Sequence, residues 1–319
     1  MTRSVTVRVP AKVNVQLAVG GLRPDGFHDL ASVFLAVGLY DRVTAATPPP
    51  GAAPAGPRLT VSGPDAAQVP VDRTNLAARA AELLAARYGV APAVHLHIDK
   101  DIPVAGGMAG GSADAAAALV ACDALWGTGA SRDDLLGLCA ELGSDVPFSL
   151  VGGAALGRGR GELLTPLAVG GPFFWVFAVA DGGLSTPAVY RECDRLREAA
   201  GTGATAAELP APEPSPALLE ALRTGDVAGL AVALAAGGSS NDLQAAAVSL
   251  RPSLAGTLRA GTDAGALAAI VSGSGPTCAF LAKDAQAAAE VAAALRASGT
   301  CREARVAAGP VDGATALPG

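Results

Sequence analysis

Apolar residues fall on every second position at the start of the chain, at Val5, Val7 and Val9 and again at Val13, Val15, Leu17 and Val19. A period of two puts these side chains on one face of an extended backbone, so residues 1–45 predict strands joined by a turn at Arg23-Pro-Asp-Gly26. Residues 47–58, rich in Pro, Ala and Gly, read as a surface loop. Helical spacing follows over 74–88, then a strand at Val94-His-Leu-His-Ile98 with one apolar face. That strand runs into a glycine-rich loop, Pro103-Val-Ala-Gly-Gly-Met-Ala-Gly-Gly111, and an alanine-rich helix predicted over 112–126, which Ser112 would cap. Ser131 and Asp134 form a capping pattern for a second helix ending at Gly143, which delivers the chain to Ser144-Asp145-Val146-Pro147. The pattern restarts after Gly170-Gly171-Pro172 with the apolar run 173–180, a domain boundary. Helices then dominate, interrupted at 201–216. Strands flank Ser272-Gly-Ser-Gly-Pro276, and a last strand is expected over 302–308.

Strands and helices mixed in both halves, with antiparallel hairpins early, predict an α+β fold of two domains, 1–168 and 169–319. A chain of 319 residues is long enough for two cores. Its 23 basic and 29 acidic residues leave a net charge of −6 without a basic cluster, so no nucleic-acid partner is expected. The uncharged run 264–282 is broken by Ser-Gly-Ser-Gly-Pro, which would leave backbone groups unpaired in hydrocarbon, so it reads as strand, loop and strand rather than a membrane span. The first residues lack an apolar stretch with a cleavage site, and the five cysteines are scattered without C-x-x-C spacing. A cytoplasmic protein with no membrane partner and no zinc site is expected.

Strand, glycine loop, helix is the order of an anion cradle. The glycines at 106, 107, 110 and 111 clear space for converging amides, and the helix N-terminus attracts negative charge. The loop lacks the Gly-Lys-Ser/Thr ending of a Walker motif and the spacing of a dinucleotide fingerprint. Alone it indicates phosphate and leaves the reaction open.

The run from Pro103 to Ala116 resembles the phosphate-binding signature of the GHMP kinase superfamily. Pro10-Ala-Lys-Val-Asn14 resembles that family's first motif and Ser272-Gly-Ser-Gly-Pro-Thr277 its third. Within the superfamily, Arg23-Pro-Asp-Gly-Phe-His-Asp-Leu30 and Leu142-Gly-Ser-Asp-Val-Pro-Phe148 are similar to the branch that phosphorylates the 2-hydroxyl of a cytidine diphosphate alcohol in the non-mevalonate route to isoprenoid precursors. The resemblance implies the two-domain GHMP fold, with an N-terminal ATP-binding α/β domain and a ferredoxin-like C-terminal α+β domain. It also implies ATP with Mg²⁺, the ion riding largely on phosphate oxygens and water.

By the same resemblance, Lys12 and Asp145 are the catalytic pair, a carboxylate taking or orienting the acceptor hydroxyl and an ammonium steadying the transferred group. Pro103, Val104, Ala105, Gly106, Gly107, Met108, Ala109, Gly110, Gly111 and Ser112 would hold ATP, with Asn75, Leu76 and Lys100 flanking the adenine. Asn14, Phe27, His28, Thr186 and Tyr190 would bind the acceptor, Phe27 and Tyr190 enclosing its base and His28 reading it. Ser272, Gly273, Ser274 and Gly275 would form an active-site loop. The chain departs from the family pattern at Phe27, Met108, Ala109, Ala113 and Ser144, without losing a proposed catalytic group.

Three features bear on these assignments independently. Lys12 is one of only three lysines beside twenty arginines, and a compact ammonium suits a crowded reaction centre. His28 and Tyr190 come from a pool of three histidines and twelve aromatic residues. His95 and His97 share a strand face with Asp99, which reads as a solvated surface, because three residues along one extended strand close a tetrahedral metal site poorly. A homoserine- or mevalonate-type kinase and a non-catalytic nucleotide-binding member remain the alternatives. Monomer and homodimer are both open.

Overall fold

A computed structural model describes residues 3–48, 56–104, 106–203, 205 and 208–318. Most of the loop expected over 47–58, and Ala105 of the glycine loop, lie outside the described residues.

The alternating opening forms the longest pair of strands, β1 (Ser4–Leu22) and β2 (His28–Ala46), antiparallel along their whole length. The turn between them is built as its sequence suggests. Gly26 takes a φ of +82°, its amide donates to the Arg23 carbonyl, and Arg23 pairs with both Asp25 and Asp29. Three register shifts interrupt the ladder, the first at Pro10/Ala11, where an imino residue that cannot donate is tolerated. Beyond that shift Ala11, Val13 and Val15 enter the core, so Lys12, Asn14 and Gln16 take the opposite face.

The first sheet is completed by β3 (Arg58–Ser62), β4 (His95–Asp99), β5 (Ala154–Arg158) and β6 (Leu163–Pro166). The second comprises β7 (Phe173–Val179), β8 (Ala268–Val271), β9 (Cys278–Ala282) and β10 (Glu303–Gly309), while β11 (Thr315–Ala316) returns to β1. Strand order is β11-β1-β2-β4-β3 in the first sheet, with β5 on β2 and β6 on β5, and β10-β7-β9-β8 in the second. Among the named strands of the described residues, β3 and β4 pair in parallel and the other pairs are antiparallel.

Helices α1 (Leu76–Tyr88), α2 (Gly110–Trp126), α3 (Arg132–Leu142) and α4 (Val146–Val151) accompany the first sheet. The second has α5 (Thr186–Ala199), α6 (Pro216–Thr224), α7 (Val227–Ala235), α8 (Gln244–Leu250), α9 (Ser253–Asp263) and α10 (Ala285–Ser298). Helix α2 is the most deeply packed, with eleven buried residues from Gly110 to Leu125. Its alanines let α1, β1 and β2 approach closely, whereas α5, on the surface, buries only Val189 and Cys193.

The expected start of α2 is corrected. The helix begins two residues early, at Gly110, and Ala109 occupies the N-cap at φ +61° without a side-chain cap, so Ser112 lies inside the first turn. Ser131 does cap α3, accepting from the Asp134 amide. No helix among the described residues is long and apolar enough to cross a membrane.

Candidate active site

The ends of β1 and β2, the glycine loop, the start of α4, helix α5 and the loop 272–275 surround one cavity of about 890 Å³. That is room for a nucleotide and a second small molecule.

Lys12 projects into it from β1. Its ammonium donates to Asn14 Oδ1 and to the Gly107 carbonyl at 3.1 Å, lies 3.7 Å from Asp145 Oδ2, and sits 5.8 Å from the Phe34 ring centre. Burial pulls its pKa below the ordinary lysine value, and Asp145 only partly offsets that pull. Asn14 is fixed in turn by donating to Ser32 Oγ at 2.7 Å.

Asp145 occupies the N-cap position of α4 but makes no capping bond with its side chain. Its own carbonyl is held by the Ser149 amide and hydroxyl, which anchors the backbone and leaves the carboxylate, 34% exposed, facing the cavity. A capping aspartate would have spent those oxygens on the helix.

The glycine loop is a cradle that side chains would fill. A Cβ on Gly107, at φ +74°, would lie 2.1 Å from the Ser272 carbonyl oxygen, and one on Gly106 2.8 Å from Thr277 Oγ1. Ser272 Oγ also donates to the Gly107 carbonyl at 3.1 Å, so the loops 103–111 and 272–275 are interlocked. With no side-chain cap on α2, the first-turn amides stay available to an anion.

At the other end His28 is buried, its ring stacked on Tyr190 with centroids 5.0 Å apart, and its Nε2 is 2.9 Å from Asp194 Oδ1. Burial pushes the Tyr190 phenol pKa up, so it stays protonated. Phe27 is half exposed at the rim, beneath the Arg160 guanidinium at 5.1 Å. Thr186 Oγ1 and Ser274 Oγ are 2.9 Å apart, bridging α5 to the loop 272–275.

The cavity thus brings together Lys12, Asn14, Phe27, His28, Leu76, Gly106, Gly107, Ala109, Gly110, Gly111, Ser112, Asp145, Thr186, Tyr190, Gly273, Ser274 and Gly275. Pro103, Val104, Met108 and Ser272 do not line it. Asn75 caps α1 through its side chain, accepting from the Ala77 amide. Lys100 does not line the cavity either, its ammonium committed to Asp41 and Asp114. His95 and His97 bond to Thr60 and Ser62 on the neighbouring strand, and no group of metal-ligating side chains is found among the described residues.

Among the polar side chains of the wall, Ser32, Arg160, Arg191 and Asp194 escape a reading of the sequence. Asp194 carried a signal, since it lies four residues after Tyr190 and so on the same helix face. Ser32 and Arg160 depend on which strand or loop faces the cavity, and Arg191 on how α5 is turned.

Comparison with known proteins follows the same lines. The family model for the GHMP kinases N terminal domain matches residues 75–153, and that for the GHMP kinases C terminal matches 218–301. The chain belongs to the GHMP kinase family. Among GHMP kinases it is 70% identical over 314 residues to the 4-diphosphocytidyl-2-C-methyl-D-erythritol kinase of Streptomyces avermitilis, covering 98% of this chain and 100% of that one. The kinase of the same name from Thermobifida fusca is 59% identical over 317 residues, with 98% of each chain covered. A solved 4-(cytidine 5'-diphospho)-2C-methyl-D-erythritol kinase superposes with a TM-score of 0.71 at 32% identity, over 97% of this chain and 98% of that one. Homoserine kinase from Cytophaga hutchinsonii superposes at 0.72 with 19% identity, covering 98% and 97%, which speaks for the GHMP fold alone.

Proposed function

We propose that this GHMP kinase transfers the γ-phosphoryl group of ATP to the 2-hydroxyl of 4-diphosphocytidyl-2-C-methyl-D-erythritol, a step towards isoprenoid precursors. The observation that carries the reading is a buried ammonium and a cavity-facing carboxylate 3.7 Å apart beside an uncapped helix N-terminus, with a His28–Tyr190 stack in the same cavity.

In this reading the amides of Gly106, Gly107 and Gly110 to Ser112 hold the polyphosphate, and Leu76 borders the adenine. Mg²⁺ would be held largely by phosphate oxygens and water and would supply charge neutralisation. The acceptor hydroxyl lies between Lys12 and Asp145. Its oxygen forms the new bond to phosphorus as the bond to the bridging oxygen breaks, and its proton passes to the Asp145 carboxylate. Lys12 stabilises the negative charge that builds on the transferring group, an interaction made strong by its burial. Phe27 and Tyr190 flank the base, His28 reads it, Asp194 holds the His28 ring, and Asn14 and Thr186 meet the polar chain.

On the same footing, residues 1–168 form the nucleotide-binding domain and 169–319 the domain that completes the acceptor site, in a cytoplasmic monomer or homodimer.

The test is ADP release with ATP and Mg²⁺, comparing this acceptor with homoserine and mevalonate. Turnover on the cytidine compound alone is expected; turnover only on another alcohol refutes the acceptor assignment and leaves the kinase reading standing. His28→Ala should raise KM for the acceptor about tenfold or more with little change in KM for ATP, the loss of a base-reading contact.

A further inference from the structure

Behind the glycine loop lies a second charge cluster that phosphoryl transfer does not use. Lys100, just past β4, sits between Asp41 of β2 and Asp114 of α2 at 2.5 and 2.8 Å, and none of the three side chains is more than 3% exposed. The second oxygen of Asp41 accepts from the amides of Asp101 and Ile102 at 2.7 and 2.8 Å. The second oxygen of Asp114 is buried and has no hydrogen-bond partner among the described residues.

Two carboxylates against one ammonium leave one excess negative charge buried away from solvent. Carboxylates that share a buried site resist being ionised together, so the cluster favours taking up a proton. Asp114 is its natural seat, because both oxygens of Asp41 are already engaged. Burial first, and Asp41 in addition, push the Asp114 pKa up to about 7 against the opposing pull of Lys100.

Other charges nearby are committed elsewhere. From β1, Arg8 lies over Tyr40 and Lys12 faces Asp145. Arg87 and Asp134, on α1 and α3, pair with each other, and Asp99 of β4 pairs with Arg42. Asp65, which Lys100 also senses, is held by Arg302.

The cluster touches the cradle directly. A Cβ on Gly110 would lie 2.8 Å from Lys100 Nζ. Asp114 is the fifth residue of α2, about 6 Å along the axis from the first.

We propose that Asp114 is a positioning residue for the nucleotide, and that the proton it holds keeps the cluster beneath the phosphate cradle neutral when ATP is bound. The proposal rests on the reading that the polyphosphate lies on the N-terminus of α2. Losing the proton sets a buried negative charge behind a polyanion, so binding favours the protonated cluster. Affinity therefore falls as pH rises through the neutral range, by about tenfold for each unit by which binding raises the pKa.

The experiment is calorimetric titration of the full chain with Mg-ADP between pH 6 and 8.5, in two buffers of different ionisation enthalpy, for the wild type and Asp114→Asn. The asparagine keeps the shape and carries no titrating proton. The wild type should lose about tenfold more affinity than the variant across that range, and should take up a fraction of a proton that the variant does not. Parallel pH profiles with equal proton uptake overturn the proposal while leaving the cradle assignment intact. Failure of ADP to bind at any pH overturns the cradle assignment, and this proposal with it.

Should Asp114→Asn not fold, ¹³C-carboxyl spectra of the wild type decide. One aspartate should titrate near neutrality and move to higher pH with ADP; no aspartate titrating between pH 6 and 8 refutes the proposal.

Discussion

Lys12 and Lys100 are both buried and both touch the glycine loop, three residues apart, at Gly107 and Gly110. Their settings are opposite. Lys12 has one carboxylate, 3.7 Å away and partly open to solvent, so burial wins and lowers its pKa. Burial pulls on Lys100 as well, but Asp114 and Asp41 in direct contact outweigh it and raise its pKa. A lysine at a reaction centre keeps charge that a ligand can still use, whereas a structural one has been neutralised by the protein. The number and distance of partner carboxylates, not burial, separates the two roles.

The most severe test removes each half of the under-neutralised pair. Lys12→Met and Asp145→Asn should each cut kcat by about two orders of magnitude or more. The denaturation midpoint of Asp145→Asn should stay near the wild type, because its carboxylate makes no capping bond, whereas Lys12→Met also loses the bonds to Asn14 and Gly107 and should fall modestly. Near-normal turnover in either variant would remove that residue from the chemistry.

Lys100→Met should do the reverse. It strands two buried carboxyl groups, and breaking a buried ion cluster in this way costs about 3–5 kcal/mol of stability. Urea titration would show it, with the surviving folded fraction retaining most of its kcat. If the variant is stable and inactive, Lys100 belongs to the reacting groups and the contrast between the two lysines fails.

A smaller effect concerns pH. The lowered pKa of Lys12 means that its ammonium is lost, as pH rises, before an ordinary lysine near 10.5 would lose it. The kcat profile should therefore have a basic limb below that value, and Lys12→Arg should remove the limb while keeping some activity. A profile flat to pH 10.5 would mean that the bound substrates restore what burial takes away.

Much of this was visible in the sequence where the signal is local. Period-two alternation gave β1 and β2, Pro-Asp-Gly gave their turn, and Ser131 with Asp134 gave the start of α3. The glycine loop indicated phosphate because glycine spacing reports backbone access directly. Hidden features were those set by tertiary partners. Strands β3, β5 and β6 are short and take their identity from their partners β4, β2 and β5 respectively. That Asp41 and Asp114, 59 and 14 residues away, converge on Lys100 is written nowhere in the sequence. Asp145 looked equally suited to capping a helix, and only its geometry shows the carboxylate left free.

The smallest expected effect isolates the loop that both lysines touch. Ala109 holds φ +61°, a left-handed conformation that costs a residue with a Cβ about 1–2 kcal/mol. Glycine would relieve that strain, but it also gives the unfolded chain more freedom, which offsets about 0.4–1 kcal/mol. Ala109→Gly should therefore gain only about 0.5–1 kcal/mol, seen as a small rise in the urea midpoint. Because the substitution adds no atoms and moves neither lysine, the pH limb assigned to Lys12 and the stability assigned to Lys100 should persist. A shift of the limb in this variant would mean that loop conformation, rather than the Asp145 contact, sets the Lys12 charge.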